Sequence, residues 1–278
     1  MCMSGAQTKR TEGIGMHNHK PGKTKIGKCI YCRVGPTNDD SLQDEHVVPF
    51  AIDGSDVLEK ASCRICARKT SAVESRALGQ DLKGIRTVLG FRTRHRRKRS
   101  STLPIEVLRN TGEVEEVDVP LNEYPRILAF PVFPPPAYLS KASYQDGIEV
   151  VGIQVIQGNQ EFASVADKYD AQEMAVYVSK YPKDWARMLA KIAYGFAVHS
   201  QGLDHLSVDD TYVLNSILGV ADDVGMWVGC DGETKLPQFP SIDHMYGLYI
   251  VEGEIHVRVK LFSFPEAPEY HVIVGRRS

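Results

Sequence analysis

The spacing of apolar residues changes along the chain, and each spacing predicts an element. Across residues 185–199, Trp185, Met188, Leu189, Ile192, Ala193, Phe196 and Ala197 recur at helical intervals, which places them on one buried face of an α-helix. Asp184 is the expected N-cap and Gly202 the expected stop. A shorter helix is expected over 209–218, closed by Gly219. Residues 105–108 and 114–119 flank Asn110-Thr111-Gly112 and read as a β-hairpin. The stretch 130–136 is proline-rich and reads as a stiff loop, and 148–156 reads as a buried strand. Residues 245–251, 254–262 and 270–274, with a turn at Glu252-Gly253, read as an antiparallel meander. Nearer the N-terminus, Val73, Ala77 and Leu78 share one face of a helix that Gly79 would end. The expected fold class is α+β. No internal repeat and no glycine-rich phosphate loop is present.

Composition narrows the class. Of 278 residues, 42% are hydrophobic and 24% charged, an ordinary globular balance that excludes a largely disordered or collagen-like chain. No run reaches the ~18–20 apolar residues of a membrane helix. Residues 1–28 are polar and basic with no apolar core, so a signal peptide is not expected. The expected setting is the reducing cytoplasm, with no membrane partner.

Charge changes the picture more. Up to Leu103 the chain carries 20 Lys and Arg against 10 Asp and Glu; beyond it, 13 against 25. A basic first third suggests a polyanionic partner, nucleic acid first. Its densest part is 92–99, where Arg92, Arg94, Arg96, Arg97, Lys98 and Arg99 are the candidate phosphate contacts. The same run would also serve as a solvated linker.

Four of the six cysteines form two pairs of identical spacing, Cys29-Ile30-Tyr31-Cys32 and Cys63-Arg64-Ile65-Cys66. A two-residue gap turns both sulfurs of a knuckle toward one ion, and two knuckles complete a tetrahedron, so a structural Zn²⁺ is expected on Cys29, Cys32, Cys63 and Cys66. The competing readings are two disulfides or four separate buried thiols. Lys28, Arg33 and Arg64 flank the knuckles and would offset the thiolate charge. Cys230 reads as a small buried residue. His199, His205, His244, His256 and His271 show no ligand spacing and read as structural.

Between the knuckles lies Asp44-Glu45-His46-Val47-Val48-Pro49. This string, framed by the two cysteine pairs, resembles the HNH endonuclease family in its four-cysteine, ββα-metal version. The resemblance covers residues 28–78, under a fifth of the chain. It implies His46 as general base on a water. It also implies Glu45 as a ligand of a catalytic divalent ion (Mg²⁺, Mn²⁺ or Ni²⁺) that offsets charge at the scissile phosphate. The family's Asn or His after the last cysteine is Ala67 here. Glu74, two turns further along the same helix face, or Ser71, one turn on, is the expected replacement ligand.

The expected organisation is a flexible basic tail at 1–27, an HNH-like zinc-knuckle domain at 28–90, a basic linker at 91–103 and an α+β accessory domain at 104–278. The expected function is metal-dependent hydrolysis of phosphodiester bonds in DNA, most naturally duplex. The accessory domain would bind a protein partner, a signal or a second copy of the chain. The alternative is a degenerate zinc module that binds nucleic acid without cutting it.

Overall fold

A computed structural model describes residues 11–14, 22–36, 41–79, 82–92, 100–157, 159–174, 181–231, 236 and 243–278. Most of the expected basic tail, together with Arg94, Arg96, Arg97, Lys98 and Arg99, lies outside them. The architecture is mixed α+β. The first part holds β1 (Thr11–Ile14), β2 (Lys23–Lys25), β3 (Gln43–His46), β4 (Val57–Ser62), α1 (Arg64–Gly79) and α2 (Lys83–Val88). Strand β4 lies between β2, parallel to it, and β3, antiparallel. Helix α1 follows directly, so β3, β4 and α1 form a β-β-α unit.

The middle contains β5 (Thr102–Arg109), β6 (Val114–Pro120), β7 (Ile127–Val132), α3 (Ala137–Ser140), β8 (Gly152–Gln157), α4 (Asn159–Lys168) and β9 (Ala171–Met174). Strands β5 and β6 make the expected hairpin, and β9 extends it. Ile105, Val107, Val119 and Val165 form a small core of their own here. Two expectations change. Phe130-Pro131-Val132 ends strand β7 rather than forming a loop; among the described residues β7 pairs with β8 alone, and such an edge position tolerates a proline. Strand β8 begins at Gly152, and Ile153 and Val155 on it are exposed rather than buried.

The last part holds α5 (Pro182–Gln201), α6 (Leu214–Leu218), α7 (Val224–Trp227), β10 (Val228–Gly229), β11 (Met245–Val251), β12 (Glu254–Lys260) and β13 (Tyr270–Arg276). The meander is as expected, and β1 and β10 extend it to the order β1-β11-β12-β13-β10. Helix α5 starts earlier than expected, with proline in its first turn and Tyr181 at the N-cap. Asp184 lies inside that turn and instead receives two hydrogen bonds from Arg76 of α1, at 2.5 and 2.9 Å. Gly202 is the stop, with φ +86°. Helix α6 is shorter than expected because Ser207 bonds Asp210 and the Thr211 hydroxyl bonds the Ser207 carbonyl, a local turn that competes with helix.

Helix α5 is the centre of the molecule. From Asp184 to Val198 every residue but Arg187 is buried. A helix apolar nearly all round must be enclosed on all sides. One continuous core joins it to Val47, Ile52, Leu58 and Leu78 of the β-β-α part and to Ile255, Val257, Val259 and Val272 of the C-terminal sheet. The opposite face of that sheet carries buried polar side chains. His271 accepts or donates at Tyr249 and His256, each at 2.9 Å, while Asp231 pairs with both His271 and Arg258.

Candidate functional site

The two knuckles are built by tight backbone turns. Arg33 N–H donates to the Cys29 carbonyl and Cys29 N–H to the Val34 carbonyl, both at 2.8 Å. Arg33 takes φ +63° to close the turn. Ile30 N–H donates to Ala61 O at 2.7 Å, tying this turn to the end of β4. The second knuckle is the junction of β4 and α1, where Cys66 N–H points at Cys63 Sγ, 3.5 Å away.

These turns gather Cys29, Cys32, Cys63 and Cys66 so that their sulfurs all lie within 4.8 Å of one another. Cys32 Sγ and Cys63 Sγ are 3.7 Å apart. A tetrahedron with ~2.3 Å Zn–S bonds has edges of about 3.8 Å, so the set fits a metal such as zinc and none of the four is disulfide-bonded. A hydrogen bond from Cys66 holds the Cys29 thiol down at about 4 and pushes Cys66 up. Of the expected charge-offsetting residues, two turn elsewhere. Lys28 pairs with Asp204 at 2.8 Å, and Arg33 donates to the Leu203 and Leu206 carbonyls, locking the knuckle to the chain that leaves α5.

The other expected site residues lie on the inner side of the β-β-α unit. Glu45 on β3 and Glu74 on α1 do converge, but on a partner that the local sequence pattern does not reveal. The Lys191 ammonium, from the middle of α5, sits 2.7 Å from Glu45 Oε1 and 2.5 Å from Glu74 Oε1. It also donates a hydrogen bond to the His46 backbone carbonyl at 2.7 Å. The contacts to the two carboxylates are ion pairs, and Glu74 Oε1 has no aligned hydrogen-bond donor among the described residues. Lys191 is 3% exposed and Glu45 8%. Burial works against the charged lysine, yet Glu45 and Glu74 outweigh it and hold it protonated above its ordinary range. Burial, with help from Glu74, pushes Glu45 up against the pull of Lys191. The carboxylates are the ligands expected for a divalent ion. With Lys191 in place they do not fit one, because a second cation would face the ammonium directly.

His46 is half-buried, and its ring lies 5.4 Å from that of Phe50. Its Nδ1 has no hydrogen-bond partner among the described residues. Burial, with Lys191 and Arg92, lowers its pKa, so the ring is neutral near pH 7. Arg92, expected on a phosphate, is engaged with the loop after β3. It pairs with Asp53 at 2.5 Å, donates to the Asp53 and Gly54 carbonyls at 3.0 Å and covers the Phe50 ring at 4.8 Å. Gly54 closes this loop because a Cβ there would meet Val48 O at 1.9 Å.

His244 fastens the same loop to the C-terminal sheet. Its Nε2 meets Ile52 O at 2.7 Å, and Phe262 N–H donates to its Nδ1 at 3.2 Å. A ring that accepts at Nδ1 and donates at Nε2 is neutral, and burial lowers its pKa. The unfolded ring takes a proton near pH ~6.5. The stability gained from neutral His244 and His46 is therefore full above that pH and is lost as the pH falls below it. Urea unfolding midpoints should fall from pH 7 to pH 5.5, and less steeply in His244→Asn. Equal slopes in the two proteins would show that His244 does not titrate with unfolding.

No family model, no curated protein and no solved structure matches the chain. Among the described residues no helix is long and apolar enough to cross a membrane.

Proposed function

We propose that the chain holds nucleic acid by its phosphate backbone through the β-β-α unit and does not cut it. The observation that carries this reading is Lys191: the two carboxylates that would bind a catalytic ion are already neutralised by a covalent cation. Ala67 supplies no further ligand atom. Binding itself is supported by the outward face of α1, where Arg64, Arg68 and Lys69 are exposed and the helix's one acid, Glu74, turns inward. The +10 charge of the first third, including the 92–99 run, adds to it. Zinc is the metal we assign to the four sulfurs, since a tetrahedral thiolate set suits it best.

A second reading, hydrolysis with His46 as general base, has one observation in its favour. The imidazole is neutral, and its buried Nδ1 has no hydrogen-bond partner among the described residues, so that nitrogen is not already engaged.

Plasmid nicking and duplex binding by the zinc-loaded chain separate the two. We expect no nicking in Mg²⁺, Mn²⁺ or Ni²⁺ above the level of His46→Ala. We expect weak duplex binding whose log affinity falls with log salt. Replacing Arg94, Arg96, Arg97 and Arg99 together by Ala should flatten that slope by about 0.9 for each phosphate that is no longer neutralised. Metal-dependent nicking abolished in His46→Ala would establish the nuclease instead, and salt-independent binding would remove the nucleic acid.

A further inference from the structure

The Lys191 environment is built as a cation site. Two carboxylates and one backbone carbonyl converge on a single point from β3, α1 and the end of β3, at 2.5–2.7 Å. All three acceptors are oxygens, the ligand set of hard cations. A second polar group also attends the site. The Tyr31 hydroxyl is buried, has no hydrogen-bond partner among the described residues, and lies close enough to feel the charges of Glu45 and Glu74.

We infer that Glu45, Glu74 and the His46 carbonyl form a cation cradle in which the Lys191 ammonium stands where a divalent ion would otherwise bind. The cradle requires positive charge at that point, and the lysine stem is only one way to deliver it. The buried Glu45 and the half-buried Glu74, left without a cation, would repel each other at a poorly solvated point, which is destabilising. The oxygen distances are nearer the 2.3–2.6 Å of Ca²⁺ than the ~2.1 Å of Mg²⁺. A chain lacking the ammonium should therefore take Ca²⁺ or Mn²⁺ with less movement than Mg²⁺. This inference shares the Lys191 geometry with the proposed function but does not depend on nucleic acid.

The test uses the full, zinc-loaded chain and reads metal binding and melting, with no nucleic acid present. In Lys191→Ala, Mn²⁺ followed by electron paramagnetic resonance should bind at one site per chain, with a dissociation constant of about 10⁻⁴–10⁻³ M. Ca²⁺ should raise the melting temperature of that variant and leave the wild type unchanged. If Lys191→Ala does not fold alone, refolding in Ca²⁺ should recover it. The triple variant Glu45→Gln, Glu74→Gln, Lys191→Met has no charge to balance; it should fold without added ion and bind no Mn²⁺. A folded Lys191→Ala that binds no Mn²⁺ would overturn the inference. So would a variant that Ca²⁺ fails to recover while the triple variant folds, or a wild-type chain that binds Mn²⁺ and loses it in Glu45→Gln. Duplex binding by the wild type is measured apart from these outcomes, so failure of the cradle and failure of nucleic-acid binding are distinguishable; Mn²⁺ bound at Glu45 in the wild type would in addition reopen the nuclease reading.

Discussion

Cys63→Ser is expected to release the metal and unfold the whole chain in a single transition. Structural zinc sites contribute about 10–16 kcal/mol of binding free energy in small peptides. A domain of this kind is stable by only about 5–15 kcal/mol in total. Losing one of four thiolates therefore removes an amount comparable to the entire stability. The effect should not stop at the β-β-α unit. Ile30, Leu58, Val73 and Leu78 belong to the same core as Trp185, Val257 and Val272, so loss of the knuckles strips one side of α5. Metal analysis should read one zinc per wild-type chain and none in the variant. The two tryptophans, Trp185 and Trp227, lie outside the zinc unit and report on the rest of the molecule. Buried tryptophan emission in a zinc-free Cys63→Ser chain would mean that residues 104–278 stand alone, as the two-domain expectation holds.

Asp231→Ala is expected to cost about 3–5 kcal/mol, the usual penalty for orphaning a buried charge. Arg258 and His271 are each 2% exposed, and both pair with this carboxylate. Burial pushes Asp231 up, but His271 and Arg258 outweigh it and hold the carboxyl at about 2. Its contribution to stability is full above its ordinary value of 3.8 and is lost as the pH falls from there toward 2. Denaturant midpoints measured from pH 7 to pH 2 should show that acid limb in the wild type and a smaller one in Asp231→Ala. A loss below about 1 kcal/mol at pH 7 would show that Glu269, 3.8 Å from Arg258, already satisfies the arginine.

Local patterns were legible in the sequence and long-range partners were not. The knuckle pairs, the helix ending at Gly79, the core helix ending at Gly202 and the meander all rest on spacings within a few residues. The convergence of Cys29, Cys32, Cys63 and Cys66 followed from the same arithmetic. Lys191 was invisible for the opposite reason. Its acceptor at His46 lies 145 residues away, and the apolar stripe around it reads as plain core. One signal was present: a helix with almost no polar face cannot leave a central lysine in water, so Lys191 had to find buried carboxylates. Asp184 failed as a cap for a related reason, because Arg76 of α1 recruits it. Arg92 looked like part of a uniform basic run, and only the fold shows that Asp53 and two carbonyls claim it.

The position of α5 also has a consequence for synthesis. Helix α1 ends at Gly79, but the helix it packs against is complete only at Gln201. At roughly 5–20 residues per second, a ribosome needs about 6–24 s to make the intervening chain. During that interval the zinc-bearing segment has emerged with Val73, Ala77 and Leu78 facing no partner, and Glu45 and Glu74 facing no ammonium. Nascent chains stalled between these two points should be digested by protease within residues 41–79, and chains stalled beyond the tunnel length after Gln201 should resist. The newborn protein thus passes through a sticky, acid-lined stage that a chaperone would shelter, and the arrival of one lysine ends it.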